Sequence, residues 1–121
     1  MTKPVGPYSP VVRTGSWLIC SGQVGLRDGA LVDGGVREQT VQALANLRLL
    51  LEDEGASLSD VVKTTVFLTD MGDFAAMNEE YAAAFGDHRP ARSTVGVAAL
   101  PLGAVVEVEA WARSRRAGEG E

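Results

Sequence analysis

The chain has 121 residues, with 11 Lys and Arg against 16 Asp and Glu for a formal net charge of −5. That length makes one domain with a real core and no room for a separate cofactor domain, and the negative balance repels a phosphate backbone, so nucleic acid is a poor partner. A single cysteine excludes an internal disulfide, a single histidine leaves no Cys/His cluster of metal-ligand spacing, and no segment approaches the roughly 18 apolar residues of a membrane span. The first ten residues carry no apolar run of signal-peptide length, which points to the cytosol.

Taken in order, Met1 to Pro10 holds Pro4, Gly6, Pro7 and Pro10 and reads as an irregular arm, stiffened by prolines on both sides of Tyr8. Val11 to Arg13 is a short strand, Thr14-Gly15 a turn, and Trp17 to Val24 a longer strand with Leu18, Cys20, Gly22 and Val24 on one face. Gly25 to Gly35 is a glycine- and aspartate-rich loop with room for a minor hairpin. Val36 to Glu54 turns helical, its stripe of Val36, Thr40, Ala43, Leu44, Leu47, Leu50 and Leu51 ending at Gly55. Val61 to Leu68 is a β-branched run that suits a central strand. Asp73 is placed to cap a second helix over Phe74 to Phe85, which Gly86 closes.

The stretch from Arg89 to Ala112 holds two strand-like runs, Ser93 to Ala98 and Ala104 to Ala112, joined by a Leu100-Pro101-Leu102-Gly103 turn. Alternation in the second run sets Val106, Val108, Ala110 and Ala112 on one face and Val105, Glu107, Glu109 and Trp111 on the other. Pro90 imposes an extended entry that delivers Arg92 at a strand start, so a cation and a strand carboxylate come within reach of one site. The order is β-β-α-β-α-β-β. Two helices cannot cover both faces of such a sheet, so the pattern predicts an α+β fold with a mixed sheet, helices on one face and a subunit interface on the other. Residues 1–113 form a single domain, and 114–121 (SRRAGEGE) read as a flexible tail.

Gly6-Pro7-Tyr8-Ser9, Ser21-Gly22-Gln23, Val62 to Asp70 (VKTTVFLTD), Asn78 to Tyr81, Pro90-Ala91-Arg92-Ser93 and Val106-Glu107-Val108-Glu109 occur in that order. With them the chain resembles the Rid family of reactive intermediate deaminases, also called the YjgF family, over nearly its whole length. The resemblance implies a chorismate-mutase-like fold, a homotrimer with active sites in the clefts between subunits, and no cofactor or metal. It further implies a hydrolase acting on C–N bonds other than peptide bonds, which converts small 2-enamine or 2-imine acids such as 2-aminoacrylate to 2-keto acids and ammonia. By position, Arg92 matches the arginine that holds the substrate carboxylate, and Glu107 the strand glutamate assigned to water activation or proton donation. Tyr8, Ser21, Gly22, Gln23 and Asn78 match pocket-lining positions, and Thr94 stands where some members have cysteine. Gly96 and Ala99 replace larger glutamate and arginine side chains, and Gly25 a proline, which bears on substrate preference more than on the reaction.

The residue types suit that chemistry. An arginine grips a carboxylate through two parallel N–H bonds, each charge-assisted bond contributing roughly 1.5 to 3 kcal/mol, a geometry lysine does not copy. A carboxyl whose pKa is raised by partial burial can take a proton from water and return it to nitrogen. Glu109 reads as structural, Cys20 as a small buried hydrophobe, His88 as complementing a helix C-terminus, and Trp17 and Trp111 as core or interface. Three alternatives stand beside the main reading: a deaminase of a larger imino acid, a non-catalytic 2-keto-acid-binding trimer, and a ribonuclease, which the negative charge disfavours.

Overall fold

The computed structural model describes residues 6–114. The elements are β1 (Val11–Thr14), β2 (Trp17–Gln23), β3 (Leu26–Arg27), β4 (Ala30–Leu31), α1 (Val36–Asp53), β5 (Val61–Leu68), α2 (Phe74–Phe85), β6 (Ala91–Gly96) and β7 (Val106–Arg113). One five-stranded sheet runs β1-β2-β7-β5-β6, and β3 and β4 make a separate ribbon. All neighbours in the large sheet are antiparallel except β5 and β6, which are parallel and joined through α2. This is the expected α+β architecture. Strands β6 and β7 follow each other in sequence but do not pair, because β5 lies between them.

The pleat of β7 organises the core. Val106, Val108, Ala110 and Ala112 have no exposed surface, while Glu107 and Glu109 are half-buried and Trp111 is exposed on the other side. Both helices cover the first face, with Leu44, Leu47 and Leu51 of α1 and Met77, Tyr81 and Phe85 of α2 in one cluster with Leu18, Val66 and Val108. Burying one such leucine contributes about 1.5 to 3 kcal/mol. The opposite face carries Val12, Val95 and Trp111, each at least 40% exposed. Trp111 there packs edge-on to Trp17 at 6.1 Å between ring centroids.

The minor hairpin is present as β3–β4, turned by Asp28 and Gly29, both at positive φ as a two-residue type I′ loop requires. Helix α1 stops where Gly55 takes φ 80°. The cap at α2 differs from expectation. Asp73 makes no side-chain cap bond; instead Asp70 accepts from the Gly72 N–H at 2.8 Å and opens a 3₁₀ turn, Met71–Asp73, that runs straight into the helix. The preceding turn moves the capping position one element upstream.

Arg13 ties three elements together. Its side chain is 8% exposed, donates to the Glu54 carbonyl at 2.9 Å and the Ser114 carbonyl at 2.6 Å, and pairs with Glu54 Oε1 at 3.4 Å. Ser114, assigned to the tail by sequence, is thus fastened to the body, while residues 115–121 of that tail lie outside the described residues. His88 bonds the Val61 carbonyl through Nε2 at 2.6 Å. Among the described residues no helix is long and apolar enough to cross a membrane.

Substituting Arg13→Met leaves two carbonyls without their donor, and we expect a loss of about 2 kcal/mol, read as a lower urea midpoint with an unchanged m-value.

Candidate active site

The residues singled out by sequence fall into two groups, one on each face of the sheet. Arg92, Asn78 and Thr94 form the first, at the β6 edge on the helix-covered side. Arg92 pairs in register with Thr64, whose hydroxyl meets the Tyr81 hydroxyl of α2 at 2.7 Å. The Arg92 guanidinium carbon lies 4.8 Å from the Tyr81 ring centroid and 5.6 Å from that of Phe74. Phe74, Asn78 and Tyr81 are spaced i, i+4, i+7 and so share one face of α2. Among the described residues, Arg92 has no carboxylate within 4 Å. The Asn78 Oδ1 and Thr94 Oγ1 atoms are buried with no hydrogen-bond partner among the described residues. Buried polar atoms without partners are uncommon, and two flank this arginine.

Glu107 belongs to the second group, on the open face. Between Cys20, opposite Ala110, and Gln23, opposite Val108, strand β2 spends one residue more than β7. This β-bulge falls on Ser21 and Gly22. It turns Gly22 out of the face it would share with Leu18 and Cys20, and a Cβ on Gly22 would stand 2.3 Å from the Glu107 Oε2. The carboxylate therefore lies on bare backbone, which only glycine permits. Ser21 donates from its hydroxyl to the Ser9 carbonyl at 2.6 Å and from its N–H to the Pro10 carbonyl at 2.8 Å, fastening the arm that carries the half-exposed Tyr8. Gln23 closes the bulge by donating to the Ser21 carbonyl at 3.0 Å.

The loop beyond is clamped to α1. Asn46 donates to the Val24 and Leu26 carbonyls at 3.1 and 2.9 Å, and a Cβ on Gly25 would sit 2.8 Å from the Gln39 Cα.

Burial raises the Glu107 pKa above the usual carboxylate range, and the charge of Glu109 on the same face adds to it. Burial likewise raises the Tyr81 phenol. The Cys20 thiol is pushed up to about 11, chiefly by burial, as an inert core thiol requires.

One chain does not bring Arg92 and Glu107 together. They project from opposite faces, with β5 between their strands and Arg92 level with Ala110 rather than Glu107. Two strand spacings amount to about 10 Å, before the sheet's own thickness is added. A cleft of about 300 Å³ between α1 and α2, lined by Val41, Leu44, Arg48 and Glu80, holds none of these residues. At Gly96, where a larger side chain is common in the family the chain resembles, a Cβ would stand 3.2 Å from Met71 Cγ.

The sequence reading placed Phe74 and Tyr81 in the second helix and gave neither a role at the site. Their helical spacing was visible, but not that α2 lies against β6.

The comparisons with known proteins agree with this architecture. The family model described as Endoribonuclease L-PSP matches residues 1–114. A 2-iminobutanoate/2-iminopropanoate deaminase of Mus musculus is 49% identical over 110 residues, 89% of this chain and 82% of that protein. A RutC family protein of Pyrococcus horikoshii is 46% identical over 112 residues, covering 91% and 89%. The crystal structure of RidA from the Antarctic bacterium Psychrobacter sp. superposes with a TM-score of 0.89 at 42% identity, covering 92% and 91% of the two chains. The chain belongs to the Rid (YjgF) family.

Because Gly22 gives Glu107 its seat, Gly22→Ala should displace the carboxylate and cut turnover at least tenfold, with circular dichroism unchanged. The raised Glu107 pKa means the folded state binds this proton more tightly than the unfolded one. Its favourable contribution is complete below the unfolded value and lost as pH rises through the folded value. Glu107→Gln should therefore be more stable than wild type at neutral pH by a margin that shrinks on acidification through that window, as urea titrations at stepped pH would show.

Proposed function

We propose that the chain is a cofactor-free deaminase that hydrolyses 2-enamine and 2-imine acids of the 2-aminoacrylate/2-iminopropanoate type. Relatives named 2-iminobutanoate/2-iminopropanoate deaminase, from Mus musculus, Homo sapiens and Dermatophagoides farinae, support the reaction class: an enzyme that hydrolyses a C–N bond other than a peptide bond. The observation that carries the reading in this chain is the pair of prepared groups, a guanidinium with no carboxylate partner among the described residues and a half-buried carboxyl held above its ordinary pKa.

In this reading Arg92 holds the substrate carboxylate and so fixes C2, while Asn78 and Thr94 offer their unpartnered oxygens to the amino nitrogen. The enamine accepts a proton from solvent at C3, its C=C π pair forming the new C–H bond and the nitrogen lone pair the C=N bond, and becomes the iminium. Water adds to C2 as Glu107 removes its proton, and the C=N π pair moves to nitrogen. Glu107 returns that proton to nitrogen; ammonia then leaves as the C=O bond forms and the hydroxyl proton passes to Glu107, which releases it to solvent. Positioning with acid–base help suffices for imines, which already hydrolyse in water.

Since the two groups face opposite ways in one chain, the site forms between copies, with Arg92 from one subunit and Glu107 from the next. A homotrimer supplies this arrangement, and the exposed Val12, Val95 and Trp111 on the open face support it. The net charge of −5 works against the ribonuclease reading.

The test is release of keto acid and ammonia from 2-aminoacrylate supplied by a serine dehydratase. Wild type should accelerate it, and Arg92→Ala and Glu107→Ala should each lose about a hundredfold or more. Co-assembling the two inactive variants in equal amounts should restore about a quarter of the sites in a closed ring. No acceleration by the folded oligomer, on small and bulky imines alike, would overturn the proposal and favour ligand binding alone.

A further inference from the structure

We propose that Phe74 and Tyr81 are positioning residues that hold the Arg92 guanidinium between two aromatic rings in place of a carboxylate, keeping its N–H edge for the ligand. The inference rests on the deaminase reading for its ligand, a small 2-keto or 2-imino acid, but not for its geometry.

Three observations carry it. Arg92 lies within 4.8 and 5.6 Å of the two ring centroids, both inside the roughly 6 Å reach of a cation–π contact. No carboxylate among the described residues stands within salt-bridge distance of it. And Tyr81 is itself anchored, 6% exposed and bonded through its hydroxyl to Thr64, the β5 residue paired with Arg92. The strand that positions the arginine backbone thus also positions the ring that orients its side chain.

The choice of aromatic rings over an acid has a chemical consequence. An aspartate or glutamate would fix the guanidinium by occupying its donors and cancelling its charge, both of which a substrate carboxylate needs. A ring face attracts the cation through its quadrupole and leaves the in-plane N–H groups unspent. The clamp also removes side-chain freedom that binding would otherwise have to freeze. Phe74, at the start of α2 and 37% exposed, is the member whose replacement disturbs the core least.

The experiment measures calorimetric affinity for 2-oxobutanoate, an inert keto acid, alongside steady-state turnover of 2-iminobutanoate generated by a threonine dehydratase. Phe74→Leu keeps an apolar side chain without a π face; affinity should fall about tenfold and KM rise equally, with kcat within about twofold. Phe74→Tyr restores the face and should restore both. If Phe74→Leu fails to assemble, Phe74→Met, also without a π face, takes its place with the same expectation. Wild-type affinity in the Leu or Met variant, or a Tyr variant as weak as Leu, overturns the inference. Wild type that binds 2-oxobutanoate without turnover sinks the deaminase reading alone, and the affinities still decide the clamp. Absence of binding to wild type overturns the clamp, and the turnover measurement then decides the deaminase reading by itself.

Discussion

The register of β7 is the constraint on which the rest depends. The strand is paired along both edges, to β2 and to β5, so its pleat has no freedom to slip by one residue. A slip would move Val106, Val108 and Ala110 out of the core and drive Glu107 and Glu109 into it, where each carboxylate would be desolvated without a partner. Core formation and the aim of Glu107 are therefore one event. The same register sets Thr64 opposite Ala110, and so carries Tyr81, Arg92 and the helix-side group with it.

The two groups are prepared in opposite electrostatic senses. On the helix side a cation has no counter-charge among the described residues and rests on ring faces; on the open side a carboxyl is made reluctant to ionise by burial and by Glu109. The second arrangement is unfavourable to the isolated chain. In the proposed function a negatively charged ligand meets the first and a water proton the second, a pattern in which local stability is given up for chemistry.

Much of this was legible in the sequence because it is local. The leucine stripe of α1, its stop at Gly55, and the alternation of β7 each depend on residues within one element, and the structure agrees with them to within a residue or two. What sequence reading lacked was partner choice. Nothing in Ser21-Gly22-Gln23 announces a bulge until β7 is known to lie beside it, so Gly22 was assigned to the wrong face. Arg92 and Glu107, fifteen positions apart and joined by a turn, looked like neighbours until β5 was found between their strands. Asp73 lost the capping role to Asp70 because a 3₁₀ turn precedes the helix, which composition alone does not reveal.

The parallel pairing of β5 and β6 has a consequence for how the molecule comes to its final shape. Thr64, Phe74, Tyr81 and Arg92 all lie in one β-α-β unit, residues 61–96, whose contacts close over short stretches of chain. Gly22 and Glu107 meet only when the two ends of the chain have been brought together. Loop-closure entropy is greater for the second meeting, by about 1 kcal/mol for a loop roughly three times as long. The arginine half of the proposed site thus closes over the shorter loop and the glutamate half over the longer one, so the half that carries the proposed acid–base group is the costlier to assemble.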